Sequence, residues 1–282
     1  MSVDVARPED AGLPPARPGR QAPSARSPWR AVAVPDEHGG WGLTAEPVLL
    51  GLLVAPSRAG AFLAVGALLA FVVRTPLKLV LVDHRRHRRL PRSRLAARVA
   101  GAELTVLAGA ATVATVLAGW DWWIPVAGAA PLVGVELWFD MRSRSRRLLP
   151  ELCGAVGIAA AGASVALAGG AGARLAVALW LVLAARAVAS IPFVRLQVRR
   201  LHPGTVRTAP GDLAQGAGAA VAIAAVLVDG AVTAGAGAIA ALALLQVLWA
   251  RRPAIAAKTL GLRQMAAGFA VVAVTAAGVL AT

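Results

Sequence analysis

Residues 59–89, AGAFLAVGALLAFVVRTPLKLVLVDHRRHRR, decide the fold. The stretch opens with fifteen residues that carry no charge, then places Arg74 and Lys78 inside an apolar run, and ends in a burst of arginine and histidine. An uncharged segment of this length is too long for an ordinary strand and lacks its two-residue alternation. It suits a helix crossing a bilayer, whose ~30 Å hydrocarbon core takes roughly 20 residues. Arg74 and Lys78 are four apart and share one helical face. A charge at mid-depth costs at least ~2.5–3.5 kcal/mol, so such residues turn toward a bundle interior or a water-filled cavity. For Lys78, snorkelling to the interface is an equal alternative. Arg74 sits about two turns deeper than Asp83, where snorkelling is harder.

The pattern repeats along the chain. Apolar windows at 40–56, 59–82, 97–119, 122–139, 150–170, 173–193, 213–229, 231–249 and 264–281 predict an all-α polytopic membrane protein of about nine transmembrane helices. Composition agrees: 58% of residues are hydrophobic, and the mean hydropathy is +0.67. The spans are crowded with alanine and glycine, which lets helices approach closely in lipid. Residues 1–34 differ, being rich in Pro, Arg, Ala and Gly without an apolar run. They read as a disordered cytoplasmic arm ahead of a transmembrane domain over 35–282. The single cysteine, Cys153, excludes an intrachain disulfide and reads as a small packing residue.

The net charge of +15 is a matter of topology rather than of nucleic-acid binding. Segments after the second, fourth, sixth and eighth spans hold nineteen Lys and Arg, whereas the opposite face has Arg58 and Arg174. Positive charge is retained in the cytoplasm during insertion, which predicts an N-in/C-out protein of the cell (inner or plasma) membrane. WDWW at 120–123 then falls outside, as an interfacial anchor.

Apart from five arginines in the arm, the remaining cations, Arg74, Lys78 and Arg186, lie inside spans toward their cytoplasmic ends. Acids keep the same geography. Glu46 is in the first span, Glu136 and Asp140 share a face of the fourth, and Glu151 opens the fifth. Candidate anion or phosphate ligands are therefore Arg74, Lys78, Arg186, Arg195 and Arg199. Candidate acids and bases are His38, Glu46, Asp83, Glu136, Asp140 and Glu151. Either these groups pair and pin the helices together, or they line one cytoplasmic-side cavity that binds an anionic group. RTPLKLVLVDHRR and ASIPFVRLQVRRLHP echo each other, each with a proline before a basic residue and paired arginines. Proline near a span end loosens the helix and frees backbone groups to line a cavity.

Together, PDEHGGWG (35–42), RTPLKLVLVDHRR (74–86), FDMRSRSRRLLPE (139–151) and VRLQVRRLHPG (194–204) resemble the YwiC-like family of bacterial membrane proteins, over roughly residues 35–265. That resemblance brings no reaction with it. The architecture also resembles, more distantly, the UbiA superfamily of intramembrane prenyltransferases. That likeness implies Asp-rich motifs after helices two and six, holding magnesium against a prenyl diphosphate. Asp83 stands where the first motif would begin, but HRRHRR follows it, and no acid follows the sixth span until Asp212. No metal site is therefore expected unless the protein is a transferase, in which case Mg2+ would serve.

Two classes of function stay open. One is a non-enzymatic membrane protein that binds an anionic or phosphate-bearing amphipathic ligand, carries a small anion, or joins a membrane complex. The other is a divergent or degenerate UbiA-like prenyltransferase. Membrane lipid is the expected partner, with a prenyl or phospholipid-like molecule as the expected substrate, and no nucleic acid.

Overall fold

The computed structural model describes residues 38–88 and 90–282, with side chains from Gly40 onward. The expected arm at 1–34 lies outside the described residues, as does the side chain of His38. Among the described residues the chain is α-helical, without strands. Its helices are α1 (His38–Val54), α2 (Arg58–Arg85), α3 (Pro91–Ala118), α4 (Trp123–Met141), α5 (Leu148–Ala168), α6 (Ala173–Arg199), α7 (Ala209–Val228), α8 (Thr233–Trp249) and α9 (Ala257–Leu280), with a 3-10 turn at Gly230–Val232. Among the described residues, eight segments are long and apolar enough to cross a membrane: α2 to α7, the 3-10 turn with α8 (Gly230–Trp249), and α9; α1 adds a shorter apolar helix at Gly40–Val54.

Local chemistry sets the ends. Ser57 caps α2 by accepting from the Gly60 amide at 2.9 Å. Pro91 occupies the first turn of α3, where its missing N–H costs nothing. Gly119, at φ 77°, stops α3 in a conformation that favours glycine. Helices nevertheless outrun the expected spans. α3 starts six residues before 97, α6 runs six past 193, and α9 starts seven before 264. Apolar windows mark the hydrocarbon, whereas helical hydrogen bonding continues through the charged ends. Nor do the prolines break helices: α2 runs through Pro76 and α6 through Pro192.

α5 and α6 form the centre. More than half of each apolar window is buried (56% and 61%), against 17% for α2, α3 and α4. α5 packs on α1, α2, α4 and α6, while α6 packs on α5, α7, α8, α1 and α9. α3 leans on α2 at the edge. Lipid tails are as apolar as leucine, so packing rather than water exclusion holds such a bundle, and small residues at crossings matter. At the α1–α5 crossing, a Cβ on Gly51 would stand 2.7 Å from the Gly162 carbonyl. Leu50, Leu179, Val182 and Ile239 fill the central core.

WDWW divides its work. Trp120 is exposed, as an interfacial anchor should be, but Trp122 is buried against Ala59, Leu63, Ala114 and Val165. Trp122 stacks on Trp123 at 4.2 Å, and Trp123 donates to the Thr115 hydroxyl. One of these indoles is therefore core.

Candidate functional site

Helices α2 and α4 end on the arginine-rich side of the bundle, and there they bring four of the expected residues together. Asp140, at the last turn of α4, is wholly buried. It accepts from Arg74 Nε at 3.0 Å and lies 3.2 Å from Lys78 Nζ. Arg74 also reaches Glu136 at 2.9 Å. The four-residue spacing of Arg74 and Lys78 is matched by that of Glu136 and Asp140, so two helical faces meet as two cations against two carboxylates. The cations are not sealed in: their side chains stay 26% and 33% exposed.

The α4–α5 loop extends this cluster. Lys78 donates to the Ser145 hydroxyl at 2.9 Å. One residue on, the Arg146 carbonyl accepts from Arg195 of α6 at 3.0 Å. Arg195 in turn holds Glu151 at 2.7 Å. The loop thus links the α2–α4 set to an α5–α6 pair. Gly154 keeps α5 close, since a Cβ there would fall on the Glu136 carboxylate. Around the rim, Arg85 donates to the Met141 carbonyl and Arg86 to the Ser143 hydroxyl, both neutral acceptors. Arg142 lies over the Trp138 ring at 3.4 Å. Among the described residues, no carboxylate lies within ion-pair distance of these three guanidinium groups, so the rim is positive while the inner cluster is balanced.

Not every expected residue joins this cluster. Asp83 is buried at the other side of the α2 end, taken by Ser93 at 2.5 Å and Arg92 at 3.3 Å from the start of α3. Glu46 and Arg186 pair at 3.2 Å between α1 and α6, each side chain 3% exposed. Arg199 is exposed near the end of α6. The one shared cavity expected for Arg74, Lys78, Asp83, Glu136, Asp140, Arg186, Arg195 and Arg199 therefore resolves into separate contact sets. The reason is angular: residues at similar depth on different helices face different neighbours.

Sequence reading missed a polar set. Arg186 also donates to the Gln264 carbonyl at 2.6 Å. Gln264 meets Gln246, which donates to Ser190 at 3.2 Å, and Gln215 donates to the Ala189 carbonyl. All four of these polar side chains are buried. The α7 to α9 spans carry no central charge, but they do carry these glutamines. A lone glutamine in an apolar window was the available signal.

Among the described residues, no group of three or more His, Cys, Asp or Glu side chains is placed to hold a metal ion. The carboxylates of the open cluster face cations, and Asp83 faces Ser93 and Arg92, so this donor set does not fit magnesium.

Apolar helices of this number and length make the chain a multi-pass membrane protein. No curated protein and no solved structure matches it, so the expected UbiA likeness gains nothing from those comparisons. A family model does match, and it stops in the last turn of α5 rather than near 265, leaving Arg186, Arg195 and Arg199 beyond it. That model describes YwiC-like proteins, and the chain is similar to them over residues 34–167, which hold HGGW, Arg74, Lys78, Glu136, Asp140 and Glu151.

Proposed function

We propose that the open cluster binds the anionic, phosphate-bearing headgroup of an amphipathic ligand at the cytoplasmic side of the cell membrane. One observation carries this reading: Arg74 and Lys78 share a fully buried carboxylate, Asp140, yet keep about a quarter to a third of their surface open. A buried anion behind two cations holds them in place, and their open faces meet a positive rim. Preorganised guanidinium and ammonium groups grip phosphate without first being ordered. Arg195, held by Glu151, extends the same row. Asp140 and Glu136 act as positioning residues, and the apolar part of the ligand lies along the exposed sides of α2 and α4.

The reading includes nine spans, with α1 as the first, an N-terminus inside and a C-terminus outside. A reporter fused after Thr282 is then active outside the cell, and activity inside would overturn the topology. For the site, the readout is the set of phosphorus-bearing lipids that co-purifies with the protein. Arg74→Gln and Lys78→Gln each lose a species that the parent protein retains. An unchanged lipid profile in both variants removes the site.

A further inference from the structure

A separate cavity lies beyond the residues that the family model matches. We propose that the cavity between the arginine-rich ends of α6, α8 and α9 binds the headgroup of an anionic lipid that carries a free hydroxyl. The cavity holds about 280 Å3 and is lined by Phe193, Gln197, Trp249, Leu260, Arg252 and Arg263 among others. That volume is just below the ~300 Å3 at which small-molecule sites begin, which suits a headgroup rather than a whole lipid.

Three features define the ligand. First, Arg252 and Arg263 are exposed, and no carboxylate among the described residues lies within ion-pair distance of either. Their neighbour Arg251 differs, since it spends both amino groups on Asp212 at 3.1 and 3.2 Å. Two uncancelled guanidinium groups on one cavity call for an anion. Second, Gln197 is 3% exposed, and its Oε1 has no hydrogen-bond partner. Its Nε2 donates to the Trp249 carbonyl at 3.2 Å, so flipping the amide would set two oxygens face to face. The orphaned atom is therefore an acceptor, and a buried acceptor wants a donor such as a hydroxyl. Third, the walls are apolar, with Arg263 held over the Trp249 ring at 5.6 Å. Leu248 and Leu262, next to Trp249 and Arg263 in the chain, are half-exposed and offer a surface for an acyl chain. Basic pockets between helices at this side of a membrane favour such headgroups.

The test uses full-length, delipidated protein in neutral detergent, with lipid binding read by native mass spectrometry. Phosphatidylglycerol has the charge and the hydroxyl, phosphatidylmethanol has the charge alone, and phosphatidylcholine has no net charge. The expected order of affinity is that order. Arg252→Gln with Arg263→Gln weakens phosphatidylglycerol about tenfold or more, in line with loss of charge-assisted contacts. Gln197→Leu removes the preference for phosphatidylglycerol over phosphatidylmethanol and keeps both above phosphatidylcholine. Arg251→Gln, in the same loop but paired to Asp212, serves as the control and changes none of these. Unaltered phosphatidylglycerol binding in the double variant overturns the proposal, as does equal binding of phosphatidylcholine. Glycerol phosphate binding as tightly as the lipid would assign the cavity to a soluble anion and overturn the lipid assignment. Neither arm involves Arg74 or Lys78, so failure here leaves the first site standing.

Discussion

Two ion-paired places in this bundle use the same chemistry to different ends. Between α1 and α6, Glu46 and Arg186 meet with both side chains almost wholly buried, and Arg186 spends a further donor on a backbone carbonyl of α9. Between α2 and α4, Arg74 and Lys78 also meet carboxylates, but only the Asp140 side is closed. The first pair has no open face, so it can only hold helices in register. The second has a fixed back and an open front, which is what a binding site needs. Depth along a helix does not separate these cases. What separates them is how many neighbours surround the helix: α6 sits at the centre of the bundle, whereas α2 and α4 lie on its flank.

The sharpest way to break this comparison is to remove half of the closed pair. Arg186→Leu leaves Glu46 buried without its cation and lowers stability by roughly 3–5 kcal/mol, the range for breaking a buried pair. The double variant with Glu46→Leu recovers much of that loss. Thermal unfolding in detergent reads both, and a single variant as stable as the double would mean that Glu46 reaches water. A smaller effect is expected at Gly268 of α9, where an added Cβ would fall on the Glu46 carboxylate. Gly268→Ala costs about 1–3 kcal/mol through overpacking. Gly261→Ala, on the same helix with open space around it, is neutral or mildly stabilising.

The open cluster should respond less to stability and more to ligand. Asp140→Asn removes the shared buried charge, yet Arg74 and Lys78 can extend toward water, so the loss stays near ~1–3 kcal/mol. Lipid retention falls alongside it in the same preparation. A stability loss equal to that of Arg186→Leu would show that this cluster is closed too. The smallest effect belongs to the partly exposed Arg251–Asp212 bridge. Arg251→Gln changes the unfolding midpoint by no more than ~1 kcal/mol equivalent, since exposed pairs contribute little.

Much of the α2–α4 cluster was legible in the sequence. Arg74, Lys78, Glu136 and Asp140 stand at paired four-residue spacings, and charges buried in a membrane need partners. The link through Ser145 and Arg146 to Arg195 was not legible, because it depends on where one short loop folds. Arg186 shows the same limit. Its depth was readable, but its partner, 140 residues away in α1, was not. Gln197 escaped notice because a glutamine at a helix end is unremarkable until its surroundings are known.

By itself, the sequence determined that the molecule is a multi-pass bundle of apolar helices and that its charges gather at the helix ends and loops. Both follow from transfer free energy summed along each helix, which needs no knowledge of neighbours. Only the tertiary structure decided which charges neutralise each other and which keep an open face. That depends on helix rotation and on close crossings such as Gly51 against Gly162 and Gly268 against Glu46. Such crossings set how closely side chains approach, and the strength of an ion pair or a phosphate contact turns on that distance.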